Sequence, residues 1–303
     1  LPGDPFRLGV ASGDPLSDSV ILWTRLVADE GPRPDEAVPV TWVLAADDAF
    51  TAIVASGTTA ATPGFGHSVH VDADGLDADS WYHYRFRVGD FTSEPGRTRT
   101  LPEADTTPDQ LRFGVGSCQN FEAGWYTAYR DVADNELDLF LFLGDYIYEY
   151  AANPAPDRPR THDGPETTEL AGYRDRYAQY KRDELLRAAH ASCPWLVVWD
   201  DHEVENDYAD DVPEDGSDSE AFLARRADAY QAWWEHMPVR LDPPTNENLQ
   251  IERAFRFGQL ANIMMIDTRE YRFVMAFGVD GFRLENDCDV VFDVFLSLCV
   301  DAQ

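Results

Sequence analysis

Apolar and polar positions alternate along the first third of the chain in short segments that Gly, Pro and Asp interrupt. The clearest segments are residues 20–25, 40–44, 68–71 and 82–88, and none of them has the period of a helix. Several short strands separated by turn residues are typical of two packed β-sheets. We therefore predict an all-β sandwich over residues 1–103.

One stretch of the sequence indicates which type of β-sandwich to expect. Residues 76–85 resemble the tyrosine-corner region of fibronectin type III domains. In that arrangement an aromatic hydroxyl group bonds back to the preceding turn. The N-terminal domain is accordingly expected to be of the fibronectin type III or immunoglobulin-like kind.

The pattern changes after a polar linker, residues 104–109, with prolines at positions 102 and 108. Beyond it, apolar runs of strand length alternate with segments of helical periodicity, and such apolar runs are typical of strands buried on both faces. The predicted strands are 111–116, 137–143, 195–199 and 262–266, and the predicted helices are 124–136, 169–191 and 219–236. This order predicts a layered α/β domain over residues 110–272.

Composition and charge exclude two classes of partner. The 303 residues include 24 basic and 56 acidic ones, which gives a formal charge of −32. Nucleic acid is excluded because phosphate backbones bind positively charged surfaces, and no apolar run is long enough to span a membrane. Such acidity with a single lysine, Lys181, indicates either adaptation to high salt, which we favour, or an acidic surface encoded by a GC-rich genome. We expect a monomer.

Potential metal ligands follow three of the predicted strands. They lie in residues 116–119, 144–149 and 199–206, directly after apolar runs. Because the carboxyl ends of strands in an α/β sheet meet at one crevice, we expect these side chains to converge. A thiol, several carboxylates, a phenol, an imidazole and an amide together indicate a dinuclear metal site for phosphoryl transfer.

Asp145 is placed to bridge two cations about 3.5–4 Å apart, and Gly144 before it lets the backbone come close. Tyr148 can return its hydroxyl group to the same metal, where a phenolate favours a trivalent ion such as Fe³⁺; the alternative is a packed aromatic ring. Cys118 ends the first strand of this domain. Its thiolate can bind the same ion, or its thiol can be buried filler.

The third motif offers ligands for a second cation and a group for catalysis. Asp200 and Asp201 follow their strand directly and can bind the second metal. His202 is suited to donate a proton to a phosphoryl oxygen or to a leaving group. Asn206 supplies an amide oxygen on the same face as His202 if a helix starts here.

Other polar residues nearby have simpler explanations. We expect Glu203 and Glu205 to cap that helix or to face solvent, and Cys193 to be a small buried hydrophobe. His162, on the long polar loop 151–168, either lines the pocket or has no role.

Together the motifs resemble the PhoD family of alkaline phosphatases and phosphodiesterases. The stretches that carry the resemblance, in the family's order, are residues 9–15, 19–26, 116–119, 143–149, 199–206, 230–238 and 266–272. The resemblance implies a small β-domain followed by a layered metallophosphatase domain. It also implies hydrolysis of phosphate mono- or diesters by a metal-activated hydroxide, with a phosphate ester as substrate.

The resemblance further implies a centre that holds Fe³⁺ and Ca²⁺. It assigns the iron ligands as Cys118, Asp145 and Tyr148. It assigns the calcium ligands as Asp145, Asp201 and Asn206, with Asp200 as a further candidate. The choice between Asp200 and Asp201 stays open, and His202 would assist catalysis. Family members are exported through the twin-arginine route, so an extracellular or cell-surface location is expected.

The segment 273–303 departs from the family pattern. Family members carry a late Gly-Asp-Val-His segment that completes the metal site, and this sequence has none. We therefore expect an incomplete catalytic domain, with an atypical tail after residue 272. The first alternative to an enzyme is an inactive, truncated homologue that binds metal partly or not at all. A weaker alternative is an adhesion or sugar-binding module built on residues 1–103.

Overall fold

A computed structural model describes most of the chain. The residues described are 3–27, 35–216, 219–245 and 248–270, together with the backbone of 294–298. The tail that the sequence sets apart, 273–303, therefore lies outside the described residues except for that short backbone segment.

The first hundred residues form strands, as predicted. They are β1 (Val10–Gly13), β2 (Val20–Arg25), β3 (Val38–Ala45), β4 (Ile53–Ala61), β5 (Ser68–Ala73), β6 (Trp81–Val88), β7 (Phe91–Thr92) and β8 (Gly96–Arg99). Strands β3, β4, β6, β7 and β8 make one antiparallel sheet. Apolar side chains of β1, β2 and β5 share a core with those of β3 and β6, so two sheets pack face to face.

The tyrosine-corner contact is present. The backbone N–H of Asp77 donates to the hydroxyl oxygen of Tyr82 at 2.9 Å. This bond ties the start of β6 to the turn before it, as the fibronectin resemblance leads one to expect.

Helices and strands alternate in the second part of the chain. The elements are β9 (Phe113–Gly116), α1 (Ala128–Asp134), β10 (Leu139–Leu143), α2 (Leu170–Lys181), α3 (Glu184–Ser192), β11 (Trp195–Val198), α4 (Ser219–His236), β12 (Arg253–Phe257), β13 (Ala261–Met265) and β14 (Val294–Leu298). The helix predicted over 169–191 is two helices, α2 and α3. The break occurs because the Asp183 carboxylate accepts hydrogen bonds from the N–H groups of Leu185 and Leu186 and so starts a new helix.

The central sheet crosses the domain boundary that the sequence indicates at residue 103. Its strand order is β5-β2-β1-β11-β10-β9, so three N-terminal strands continue the parallel sheet of the second part. Gly13 of β1 pairs with Trp195 of β11. A Cβ atom at Gly13 would lie 2.5 Å from the Trp195 carbonyl oxygen and 2.3 Å from that of Pro238, so only glycine permits this approach.

The interior strands place the candidate site. Strands β10 and β11 are buried, and the rings of Phe140 and Trp195 pack with centroids 4.3 Å apart. Strands β9, β10 and β11 run parallel, so the loops after them leave the sheet at the same edge. Among the described residues, no helix combines the length and apolar character needed to cross a membrane.

Candidate metal centre

The loops after β9 and β10 are held together by their own backbones. The N–H of Cys118 donates to the carbonyl of Gly144, and the N–H of Gln119 donates to that of Asp145, each at 3.1 Å. Cys118 and Asp145 have left-handed backbones, with φ of 54° and 57°. Gly144 has φ of 97°, and a Cβ atom there would lie 2.4 Å from the backbone nitrogen of Asp200. The tight, strained turn brings the ends of β10 and β11 into contact.

The three residues predicted to bind iron meet at one carboxylate. The Tyr148 hydroxyl group donates to Oδ2 of Asp145 at 3.1 Å. The Cys118 thiol lies close enough to the same carboxylate for each to shift the pKa of the other. Cys118 is exposed, so the alternative of buried filler does not hold for it. Oδ1 of Asp145 is buried without a hydrogen-bond partner among the described residues, and a cation would satisfy it.

Burial and negative charge make this cluster favourable for a cation. Burial, followed by the charges of Asp201 and Asp200, raises the pKa of Asp145 to about 6. Although Cys118 as a whole residue is exposed, desolvation of its thiol by the surrounding groups raises the pKa of that thiol to about 11. Burial and then the Asp145 charge raise the pKa of the Tyr148 phenol. A bound cation would reverse these shifts and release the protons, because metal ligands bind in their deprotonated forms.

Asp201 and His202 complete a group around Asp145. One ligand atom from each of these three residues lies within 4.8 Å of the other two, a spacing that suits a single ion. The Cys118 sulfur lies outside this triad. Oδ2 of Asp201 accepts a hydrogen bond from the N–H of Asp207 at 2.6 Å, which fixes the carboxylate.

Arg269 is a site residue that the sequence reasoning missed. Its Nε donates to Oδ1 of Asp200, and its Nη2 lies 3.3 Å from Oδ1 of Asp201. Arg269 is buried and follows β13, within a stretch that carries the family resemblance. Its position shortly after a predicted strand is the feature of the sequence that could have indicated a role in the site. Both aspartates are thus paired with one guanidinium group, and the choice between them as ligands stays open.

His202 is oriented by a second residue that was missed, Glu149. Nδ1 of His202 donates to Oε2 of the buried Glu149 at 2.8 Å. The His202 ring stacks on Tyr148 at 4.0 Å and meets Tyr150 edge-on at 5.2 Å. Burial alone would lower the pKa of His202, but the hydrogen bond and the charge of Glu149 outweigh it and raise the pKa to about 9. A pKa raised in this direction favours the protonated imidazole while no cation is bound.

A helix starting at the third motif, which would place Asn206 on the same face as His202, does not form. Residues 201–207 make turns, in which the N–H groups of Val204 and Glu205 donate to the carbonyl of Asp201. Asn206 therefore does not share a helix face with His202. Its side-chain Nδ2 donates to Glu214 at 2.7 Å, and its backbone N–H donates to Glu149 at 2.9 Å.

The expectation that Glu203 faces solvent or caps a helix is wrong. Glu203 is buried, and its carboxylate accepts hydrogen bonds from three backbone N–H groups at the ends of β10 and β11. Burial and the neighbouring Asp145 raise the pKa of Glu203. Glu205 is half-buried and pairs with Arg225 of α4 at 3.0 Å. Two glutamates separated by a single residue thus have different surroundings.

His162 lies in the interior rather than along the surface of its loop. It is buried, and its Nε2 lies 2.8 Å from the hydroxyl group of Tyr180. That hydroxyl group accepts the backbone N–H of Tyr148 at 3.1 Å. His162 therefore supports the loop that carries Tyr148 through one intervening side chain. Cys193 is buried, as expected.

Two models of protein families match the chain. A model of PhoD-like phosphatases matches residues 113–291, and a model of the N-terminal domain of PhoD-like phosphatases matches residues 2–102. The first match continues into the segment after residue 272 that the sequence sets apart. Alkaline phosphatase D of Bacillus subtilis (strain 168) is 51% identical over 275 residues, which are 88% of this chain and 47% of that protein.

A solved structure of PhoD is also similar. It superposes with a TM-score of 0.89 at 50% identity, and the match covers 92% of this chain and 55% of that chain. The α/β architecture predicted from the sequence is therefore confirmed. The chain spans about half the length of these two relatives.

Proposed function

The chain belongs to the PhoD-like phosphatase family, and on that premise we propose that it hydrolyses phosphate mono- or diesters with Fe³⁺ and Ca²⁺ as cofactors. The main observation behind this proposal is the hydrogen bonding of the Asp145 carboxylate. One of its oxygens accepts the Tyr148 hydroxyl group, and the other is buried without a partner among the described residues. A bound cation would satisfy this buried oxygen.

The residues present fit the two proposed ions. Cys118, Asp145 and Tyr148 would hold iron, since thiolate, carboxylate and phenolate ligands suit a strongly Lewis-acidic ion. Calcium prefers hard oxygen donors. The proposed donors on its side, together with the shared Asp145, are Asp200, Asp201 and Asn206. When bound, the ions would supply Lewis acidity that offsets the charge of the transferring phosphoryl group.

His202 is proposed to manage the proton of the leaving group. Because Glu149 holds Nδ1, the proton at Nε2 is the one available to a phosphoryl oxygen or to the departing alcohol. Stacking on Tyr148 fixes the plane of the ring beside Asp145. Glu149 acts through His202 and orients it, as the third member of a catalytic triad orients its base.

The proposal is tested with p-nitrophenyl phosphate and its bis ester, in molar salt, with the protein loaded with iron and calcium. Turnover of at least one ester is expected, with loss of turnover after chelation and recovery when both metals return. His202→Asn is expected to lower kcat by about 10²–10⁴-fold. A monodisperse, metal-loaded sample that turns over neither ester would contradict the proposal.

One observation favours the alternative of a homologue that binds metal incompletely and does not hydrolyse esters. Arg269 already pairs with both Asp200 and Asp201, the residues proposed for the calcium side. Metal analysis distinguishes the two readings. One ion or fewer per chain after loading supports the alternative, whereas two ions with turnover support the enzyme.

A further inference from the structure

Three backbone amides from two strand ends converge on the carboxylate of Glu203. Its Oε2 accepts the N–H of Asp145 at 3.1 Å and that of Asp200 at 2.9 Å, and its Oε1 accepts the N–H of Tyr146 at 2.5 Å. Asp145 and Tyr146 follow β10, whereas Asp200 follows β11. Glu203 is only 1% exposed, so water does not compete for these bonds.

The strand ends need such an acceptor. The paired register of β10 and β11 ends at Leu143 and Val198, so the amides beyond these residues have left the sheet ladder. Buried N–H groups without an acceptor are strongly disfavoured. Asp145 also adopts a left-handed backbone, which a residue other than glycine keeps only when its surroundings hold it there.

The three bonds use both oxygens of the Glu203 carboxyl group. They fix the backbone at Asp145 and Asp200 at the same time. The side chains of these two residues start from that backbone, so their separation depends on the Glu203 carboxylate. Glu203 itself lies between His202 and the turn that follows, and its bonds span 57 and 58 residues to the β10 loop.

We propose that Glu203 is a positioning residue of the metal centre. By holding the ends of β10 and β11 on one carboxyl group, it sets the distance between Asp145 and Asp200. The proposal rests on the function proposed above. Glu203 acts through Asp145 and Asp200, and it neither binds the ions nor touches the substrate.

Glu205 provides a matched control. It has the same side chain, lies in the same motif and is half-buried, but its carboxylate pairs with Arg225 on α4. A substitution there removes one acidic group from the same motif, two residues further along the chain, without touching the strand ends.

The test compares Glu203→Gln with Glu205→Gln in the full chain. Glutamine keeps the shape but replaces one accepting oxygen with a donor, so at least one of the three amides loses its acceptor. In the metal-free protein, hydrogen exchange at the amides of Asp145, Tyr146 and Asp200 is expected to rise at least about tenfold in Glu203→Gln. Iron affinity is expected to fall about 10–100-fold, as for other residues that orient ligands. Glu205→Gln is expected to leave both quantities unchanged.

The kinetics of ester hydrolysis provide a separate test of the role of Glu203. A positioning role predicts a lower kcat with KM changed less than about threefold. Unchanged exchange and iron affinity in a folded Glu203→Gln protein would overturn the proposal. If this variant does not fold, Glu203→Asp keeps the charge but shortens the reach, and unchanged exchange at all three amides would then overturn it.

A failure of the proposed function can be distinguished from a failure of the proposed role of Glu203. Exchange and iron affinity are measured without substrate, so they decide the role of Glu203 even if the unmodified protein turns over neither ester.

Discussion

The candidate site has two halves, which reach the crevice from different strands. The thiol half follows β9 and β10 and consists of Cys118, Asp145 and Tyr148. The aspartate half follows β11 and consists of Asp200, Asp201 and Asn206. In the thiol half, an oxygen of Asp145 is buried without a partner among the described residues. In the aspartate half, Arg269 pairs with both aspartates, and the Asn206 side chain donates to Glu214.

This difference indicates which half of the site depends on a bound ion. A buried carboxylate oxygen without a partner is costly unless a cation relieves it. The thiol half is in that condition, whereas the guanidinium group of Arg269 already relieves the aspartate half. We therefore expect the first ion to bind at the thiol half, and a second ion to bind more weakly because it competes with Arg269.

The largest effect is expected from Asp145→Asn, since Asp145 is proposed to serve both ions. Loss of its charge is expected to abolish binding of both metals and to lower turnover by at least about 10³-fold, because Lewis-acid stabilisation contributes several kcal/mol. Asp200→Asn is the matched control, and we expect it to lower turnover about tenfold, since Asp200 is already paired. Metal content and kcat/KM measure both variants. Equal losses would break the comparison between the halves.

The next effect is expected from Tyr148→Phe, which keeps the ring stacked on His202 and removes only the hydroxyl group bonded to Asp145. Loss of the phenolate is expected to remove the visible absorption band of the iron-loaded protein and to weaken iron binding about 100-fold. Tyr150→Phe is the control, because its ring also meets His202 but its hydroxyl group is not proposed as a ligand. A band that survives in Tyr148→Phe would place iron elsewhere.

The convergence of the candidate ligands could be predicted from the sequence, whereas the residues that hold them in place could not. Cys118, Asp145 and Asp200 could be found because each follows an apolar run, and strand ends of an α/β sheet meet at one edge. Helix α4 was predicted with its observed bounds, Ser219–His236, since its apolar pattern is uninterrupted.

The supporting residues could not be found in this way. Glu149 reaches His202 across 53 residues, Glu203 reaches Asp145 across 58, and Arg269 reaches Asp200 across 69. A charged residue in a polar motif is most simply read as solvent-facing, and only the fold shows that these three are buried. The pairing of β1 with β11, which joins the two parts of the chain in one sheet, is a long-range contact of the same kind.

A smaller effect is expected from Arg269→Gln, which tests whether the guanidinium group competes with calcium. Removing it leaves Asp200 and Asp201 unpaired, so calcium affinity is expected to rise about tenfold while iron affinity stays constant. Arg256→Gln, at an exposed position on β12, is the control. Calorimetric titration with calcium measures the change. Weaker calcium binding in Arg269→Gln would mean that Arg269 holds the aspartates in place for the ion.

The smallest effect on turnover is expected from Asp267→Asn, which tests how the aspartate half is supported without metal. Oδ1 of Asp267 accepts the backbone N–H of Arg269 at 2.7 Å and that of Glu270 at 2.9 Å. Burial, helped by the charge of Glu252, raises the pKa of Asp267 from 3.8 to about 6 despite these bonds. Asn keeps the accepting oxygen and cannot ionise.

The sign of the effect follows from this raised pKa. The folded protein binds the Asp267 proton more tightly than the unfolded chain does, so its contribution to stability is complete below pH 3.8 and is lost as pH rises through about 6. Relative to Asp267→Asn, the metal-free protein is therefore expected to lose up to about 3 kcal/mol of unfolding free energy between about pH 4 and pH 7. Urea unfolding of both proteins at each pH, in the same salt, measures this difference and cancels the repulsion common to both acidic chains. If the difference in unfolding free energy between the two proteins does not vary with pH, then Asp267 does not titrate in this range. The idea that a buried, proton-linked carboxyl group supports Arg269 would then be wrong.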